Sequence, residues 1–306
     1  EASKGVMTTG ELKGNRFTLF VRVEPDIFVI KREAFLRALS RVVEKGFTNF
    51  FYLQRFGTPR LINYEWAESI LKGEYESAVK SIITKETPWE YDFFTEVRRE
   101  LCTVWGDCDT KEKIMDMAAP DEFRHERILV AHLKAHPGDY VGALQLLKDQ
   151  VGLWVYAFFS RYFNQLLSEH LAGNRPLPSE FPLALSSEHR DTTPYRKYFE
   201  RDSLFPPPWK NLRPFPHIRT AHRTVKTTSR AVVHDIDVTE EGIRFQFTLE
   251  KGQYATTFLS HLFNLVSGHK DGVTNFSLKD SATLDASARG YFKEIVAIAT
   301  PDVVVE

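Results

Sequence analysis

Apolar residues at Phe17, Leu19, Val21 and Val23 recur with period two, the period of a strand with one face buried. A sheet is predicted to open there. Phe35, Leu39, Val42 and Val43 then recur at helical spacing and Gly46 stands where a C-terminal cap belongs, which predicts a helix over 31–45 packed on that sheet. From residue 58 the period stays helical. It runs through Trp66, Ile70 and Leu71, then Val79, Ile82 and Ile83, then Ile128, Leu129 and Leu133, and last from Leu153 to Leu171, closed by Gly173 and Asn174. Pro206, Pro207, Pro208, Pro214 and Pro216 follow; without amide donors they predict an extended crossing between two units. Beyond them Val232, His234, Ile236 and Val238 alternate, then Ile243, Phe245, Phe247 and Leu249, with a turn at Glu241-Gly242. These predict antiparallel strands returning to the first sheet. Gly252 precedes a helix with Tyr254, Phe258, Leu259, Leu262 and Phe263 on its apolar side, and 295–298 and 303–305 have the alternation of short edge strands. The expected fold is α+β. A mixed or antiparallel sheet unit comprises 1–57 and 221–306, and a largely helical unit, 58–220, is inserted in it.

Composition narrows the class. A chain of 306 residues, 42% hydrophobic and 13% aromatic, can bury two cores. No apolar run reaches the roughly 18 residues of a membrane helix, so no membrane partner is expected. Only two cysteines, Cys102 and Cys108, argue against a disulfide framework and for a reducing, cytoplasmic setting. The chain begins at Glu1 without a secretory or transit pattern, and the expectation is that Glu1 marks a cut or a truncated reading frame. The net charge of -1 does not announce a nucleic-acid partner. The distribution says more. Arg196, Lys197, Arg201, Lys210, Arg213, Arg219, Arg223, Lys226 and Arg230 face only Glu200 and Asp202 in that stretch, among Tyr195, Tyr198, Phe199, Phe205, Trp209 and Phe215. Basic residues interleaved with aromatics suit phosphate contact and base stacking, and they equally suit a solvated loop face.

Taken singly, the candidate residues have structural and chemical readings side by side. Gly14-Asn15 before a strand reads as a tight turn, and Phe17 as a core aromatic. Gln54 and Arg55 offer an amide and a guanidinium fork for a phosphate, a base edge or a carboxylate, or else a structural corner tied to carbonyls. Cys102, Cys108, His132 and His136 can be drawn as a zinc site, but neither spacing is a usual one, and no metal is expected. No glycine-rich phosphate loop or GxSxG motif is present.

Three blocks in fixed order change the balance: GELKGNRFTLFVR at 10–22, NFFYLQRFG at 49–57 and KGQYATTFL at 251–259. Together they resemble the TruD family of tRNA pseudouridine synthases. A helix at 156–171, with Ser160, Phe163, Asn164 and Leu167, is similar to the family's SAxxSxxFNxxLxxRL pattern. The resemblance implies that Phe17 packs on a uracil and that Asn15 helps hold a catalytic aspartate. It further implies RNA-binding or supporting roles for Gln54, Arg55, Phe56, Tyr254 and Thr256, joined by Arg219 and Arg223 of the basic strip. Asn164 is expected to satisfy buried backbone groups. Two departures stand out: Tyr52 replaces a family glycine, and Ser260-His261 replaces Arg-Glu. The family aspartate lies in a GxKD-type block before the GNxF block, and only nine residues precede Gly10, so it is expected upstream of Glu1. Asp26 lies on the wrong side of that block, while Asp271 and Asp280, each after a lysine, are its weak substitutes within the chain. The implied reaction isomerises a uridine, position 13 in the family, in a tRNA lying between the two units. It needs no organic cofactor, and no protein partner is inferred. The chain by itself is expected to have weak or no activity. The alternatives are a non-catalytic RNA-binding module of the same fold and a protein-interaction scaffold built on the helices.

Overall fold

The computed structural model describes residues 13–262, apart from 23, 24, 58, 59, 89, 91, 119–122, 240 and 241. In chain order the elements are β1 (Gly14–Arg22), α1 (Pro25–Lys45), β2 (Phe47–Thr48), α2 (Leu53–Phe56), α3 (Asn63–Lys72), α4 (Tyr75–Thr84), α5 (Asp92–Thr103) and α6 (Cys108–Ala118). There follow α7 (Arg124–Ala135), α8 (Tyr140–Leu146), α9 (Lys148–Ala172), β3 (Glu180–Pro182), α10 (His189–Thr192) and α11 (Arg196–Arg201). The described residues close with β4 (Thr224–Lys226), β5 (Thr228–Ser229), β6 (Val232–Thr239), β7 (Gly242–Glu250) and α12 (Ala255–Ser260). The fold is α+β. Asp271, Asp280, Phe263 and the expected strands at 295–298 and 303–305 lie outside the described residues.

Strand alternation builds the first of two buried clusters. β7 is the middle of an antiparallel sheet ordered β1-β7-β6, with Phe17 opposite Phe247, Leu19 opposite Phe245 and Val21 opposite Ile243. Period two places these six side chains on one face. Phe35, Leu39 and Val42 of α1 and Phe258 and Leu259 of α12 pack in the same cluster. Ile243, Phe245, Phe247 and Leu249 are almost fully buried, whereas Phe17, Leu19 and Val21 on the edge strand are half-buried.

The second cluster is helical and larger. α9 is apolar around most of its circumference, from Val151 to Leu167, so it sits inside rather than presenting one stripe. α3 lies along it, with Trp66 and Trp154 edge to face at 5.0 Å. Phe50, Phe51 and Phe56 belong to this helical cluster rather than to the sheet.

Three expectations are corrected. The helix predicted over 31–45 starts at Pro25, since proline at a first helical position gives up no needed amide bond. The proline-rich stretch is not an extended crossing. A 3-10 turn spans Trp209–Leu212, and Leu212, Phe215 and Ile218 bury themselves in the helical cluster, because apolar side chains between the prolines outweigh the extended preference. The chain passes to the sheet later, where β4 pairs with β3 and β5 with β2. Gly14 and Asn15 form the start of β1 rather than a turn. A Cβ on Gly14 would lie 2.4 Å from the Leu249 carbonyl oxygen, so the approach of β7 demands glycine there.

Among the helices, two arginines and two glutamates are buried together. Arg60 donates to the carbonyls of Ile82 at 2.7 Å and Lys85 at 2.6 Å, and Arg98 to those of Ile82 and Ile83 at 3.2 and 3.1 Å, so both cap the C-terminus of α4. Arg98 also grips Glu90 with two parallel bonds of 2.8 and 2.9 Å and reaches Glu126 at 3.0 Å. Burial, then the charge of Arg98, draw the Arg60 pKa down to about 9. With two charges of each sign the set is neutral. Glu126→Ala leaves an excess buried guanidinium and is expected to lower unfolding free energy by about 3–5 kcal/mol. Glu33→Ala, which breaks the exposed pair with Arg37, is expected to cost under about 1 kcal/mol. Urea denaturation of both variants checks the contrast.

Candidate functional site

The segment 49–57 joins the two clusters, and its anchors are polar. Asn49 donates its side-chain amide to the Lys226 carbonyl at 2.9 Å, and its backbone amide to that of Thr227 at 2.9 Å. Phe51 donates its amide to Asn164 Oδ1 at 3.0 Å, and its carbonyl accepts from Asn164 Nδ2 at 2.9 Å. Asn164 is fully buried, and this pairing satisfies it together with both backbone groups. From the other side Thr257 of α12 donates its hydroxyl to the Phe50 carbonyl at 2.9 Å. Gly57 ends α2 at φ 86, and a Cβ there would meet the Asn63 side chain at 2.2 Å. Tyr52 fits the N-terminus of α2 with an extended backbone; burial raises its phenol to about 12.

Within this frame Arg55 Nη2 donates to the Tyr254 hydroxyl at 2.7 Å, a contact between residues of two blocks 199 positions apart. Its guanidinium lies 5.0 Å from the ring centre of Phe51 and 5.9 Å from that of Tyr254, so the side chain is held by two aromatic faces. Arg55 Nε is buried and has no hydrogen-bond partner among the described residues. Gln54 is exposed, in a long 3.5 Å contact with the Thr256 hydroxyl. Phe56 is fully buried, so it supports the segment from within the core and meets no RNA. Phe17 stacks on Phe247 at 5.2 Å, Phe247 contacts Phe258 at 4.7 Å, and Phe258 contacts Phe47 at 5.7 Å. The Phe17 ring is half-buried, and Asn15 is exposed.

The basic strip divides. Tyr195, Tyr198, Phe199 and Phe215 are buried around α9, which removes them as stacking platforms; a helix apolar on all sides recruits them into the core. Arg196 pairs with Glu200, Lys197 with Glu169, Arg201 with Asp202 and Lys226 with Glu250. Lys210, Arg213, Arg219, Arg223 and Arg230 are exposed and have no carboxylate partner among the described residues. Arg223 lies 5.7 Å from the ring centre of Tyr156 on α9. No pattern along the chain signals the role of Thr257 or the pairing of Asp191 with His222, 31 residues apart. Cys102, Cys108, His132 and His136 do not assemble; His132 instead bonds Asp139 at 2.9 Å. Glu188, Asp191 and His222 do bring ligand-type atoms within 4.8 Å of one another, but Arg190 already answers Glu188 at 2.7 Å, so this is an ion-pair cluster.

The family model of tRNA pseudouridine synthase D (TruD) matches residues 1–201. A relative from Methanopyrus kandleri, named Probable tRNA pseudouridine synthase D, is 28% identical over 272 residues, covering 83% of this chain and 65% of its own length. Another of that name, from Archaeoglobus fulgidus, is 33% identical over 162 residues, covering 53% of this chain and 37% of its own. The chain thus spans less than two thirds of the length of these curated relatives. A solved tRNA pseudouridine synthase D (TruD) from Methanosarcina mazei matches with a TM-score of 0.63 at 20% identity, over 83% of this chain and 69% of that one, which shows the fold.

His261, one of the two departures in the third block, is 4% exposed beside the Phe47 ring. Its Nδ1 contacts the Thr257 carbonyl at 2.8 Å, and its Nε2 is buried without a partner among the described residues. Burial lowers its pKa, aided by the charge of Arg41 and opposed by the Thr257 bond. An unfolded chain takes up this proton near pH 6.5 and the folded one only below that, so stability falls as pH drops through about 6.5. His261→Phe is expected to weaken that fall, and thermal unfolding of both proteins between pH 5 and 8 checks it.

Proposed function

Because the chain belongs to the tRNA pseudouridine synthase D (TruD) family, we propose that it converts a uridine of tRNA, position 13, to pseudouridine in the cytoplasm. The observation that carries this reading is the Arg55–Tyr254 bond, which joins the second and third blocks at one place. The reaction breaks the bond from C1′ to N1 of uracil, turns the base, and joins C1′ to C5. The C5 proton then leaves, and N1, released from the ribose, takes up a proton. A base removed from its stack needs an aromatic partner, and the half-buried ring of Phe17 is proposed to supply it. Asn15 is proposed to orient the catalytic carboxylate. Arg55, held by Phe51 and Tyr254, is proposed to direct its buried, unbonded Nε at an anionic or carbonyl oxygen of the reacting nucleotide or carboxylate. Gln54 and Thr256 stand beside it as polar contacts.

The division into a catalytic unit, 1–57 and 221–306, and an inserted unit, 58–220, belongs to the same proposal. Two separate buried clusters support it, although Phe50, Phe51 and Phe56 of the first unit pack with the helices. The tRNA is proposed to cross their junction along Arg219 and Arg223. The aspartate is assigned to the family's GxKD-type block, with Asp271 and Asp280 as substitutes.

The test uses tRNA labelled with tritium at uridine C5, because each turnover releases that hydrogen to water. The chain, expressed with whatever coding sequence precedes it in its gene, is expected to release tritium. Phe17→Ala and Arg55→Ala are each expected to slow release about 100-fold. Salt-dependent binding without release would replace the enzyme by an RNA-binding module, and no binding at all would overturn both.

A further inference from the structure

Outside the family blocks, one histidine is held by a carboxylate withdrawn from solvent. His222 Nδ1 lies 2.7 Å from Asp191 Oδ2; the Asp191 side chain is 3% exposed and that of His222 42%. Backbone bonds from Ser187 to Thr220 at 2.9 Å and from Leu183 to Arg223 at 2.8 Å bracket the histidine and fix its segment. With Nδ1 committed to the carboxylate, Nδ1 is the donor and Nε2 faces its own choice. It is an acceptor in the neutral ring and a second donor in the protonated one.

The surrounding charges decide which ligand fits. Glu188 and Asp191 face the imidazole from the α10 side, and Arg190 holds Glu188 at 2.7 Å while lying 3.9 Å from Asp191. Arg219 and Arg223 flank His222 on its own segment, exposed and without a carboxylate partner among the described residues. Burial alone would push the Asp191 carboxyl up, yet hydrogen bonds from Ser186 and His222 and the charges of His222 and Arg190 hold it below the ordinary range. Asp191 is therefore held in its ionised form beside the imidazole.

We propose that His222, oriented by buried Asp191 between Arg219 and Arg223, is a phosphodiester contact, and that its protonation strengthens RNA binding below neutral pH. The proposal rests on the RNA-binding reading given above. A mere latch between the two segments would affect stability, and would alter RNA affinity only through it, alike in every variant that breaks the latch.

The experiment measures binding of an unmodified tRNA transcript by fluorescence anisotropy at pH 5.5, 6.5 and 8.0, each across a salt series. The wild-type chain is expected to bind about 3- to 10-fold tighter at pH 5.5 than at 8.0, the net value of one added hydrogen bond. Its salt slope should steepen by about 0.7–0.9 at the acid end, as for one added phosphate contact. His222→Gln is expected to bind weakly and to lose most of that pH dependence. His222→Lys carries a permanent charge, so it should bind tightly across the range. A His222→Gln protein that keeps the wild-type pH profile overturns the proposal and leaves the RNA reading standing. Equal loss of binding in both variants, with a lowered melting temperature, assigns His222 to a latch and also overturns it. Absence of salt-dependent tRNA binding by the wild-type chain overturns the RNA reading itself.

Discussion

A single carboxamide sets the position of everything that follows from residue 49 to residue 57. Asn164 lies on the most enclosed face of a 25-residue helix, where a polar side chain is costly unless every bond is made. It makes them with the amide and the carbonyl of one residue, Phe51. That match leaves one register for the segment. A shift by one residue would bury unpaired backbone groups along with the amide. Because Phe51 is fixed, its ring is fixed, and so is the guanidinium of Arg55 that lies against it. Thr257 locks the neighbouring carbonyl from the sheet side, so the same few residues also align the two clusters with each other.

What was readable in the sequence is what local periodicity reports. The alternation at 232–238 and 243–249 found β6 and β7, and the helical spacing from Trp66 to Leu171 found the helical cluster, because in both cases burial follows from the element's own repeat. The proline-rich stretch was misread since its apolar residues are buried by partners far away in sequence, around α9, and no local period encodes that. Gly14 was read as a turn glycine, yet its need arises from a carbonyl of β7 more than two hundred residues later. The family blocks marked Gln54, Arg55 and Tyr254 as belonging together. The bond that joins Arg55 to Tyr254 was not legible, because spacing along a chain says nothing about which hydroxyl a guanidinium finds.

Charge shows the same limit from another side. A net charge of -1 conceals a buried set of two arginines and two glutamates that contributes nothing to the outer field. It also conceals a strip in which four cations are answered by acids and, among the described residues, five are not. Lys197 and Lys226 find their partners, Glu169 and Glu250, well outside the strip, so counting charges within a window overstated its free positive charge. The remaining cations gather after residue 209, on the stretch that leads across the junction.

An aromatic side chain that receives a base must keep part of its ring in contact with solvent, and that conflicts with the close packing that holds it still. For the role proposed for Phe17, the sheet resolves the conflict by position. β7, flanked by strands on both sides, buries Phe245 and Phe247 completely, whereas β1, at the edge among the described residues, leaves Phe17 half-buried. One face of Phe17 rests on Phe247, which is itself braced by Phe258 of α12. Rigidity comes from the centre of the sheet and access from its edge. Arg55 follows the same logic with a charge. Phe51 and Tyr254 bear on its flat guanidinium and Tyr254 takes one donor, so the side chain is held without using its full set of bonds. A guanidinium held by rings and one hydroxyl stays ordered and keeps donors for an incoming oxygen, which a buried ion pair such as that of Arg98 with Glu90 could not offer.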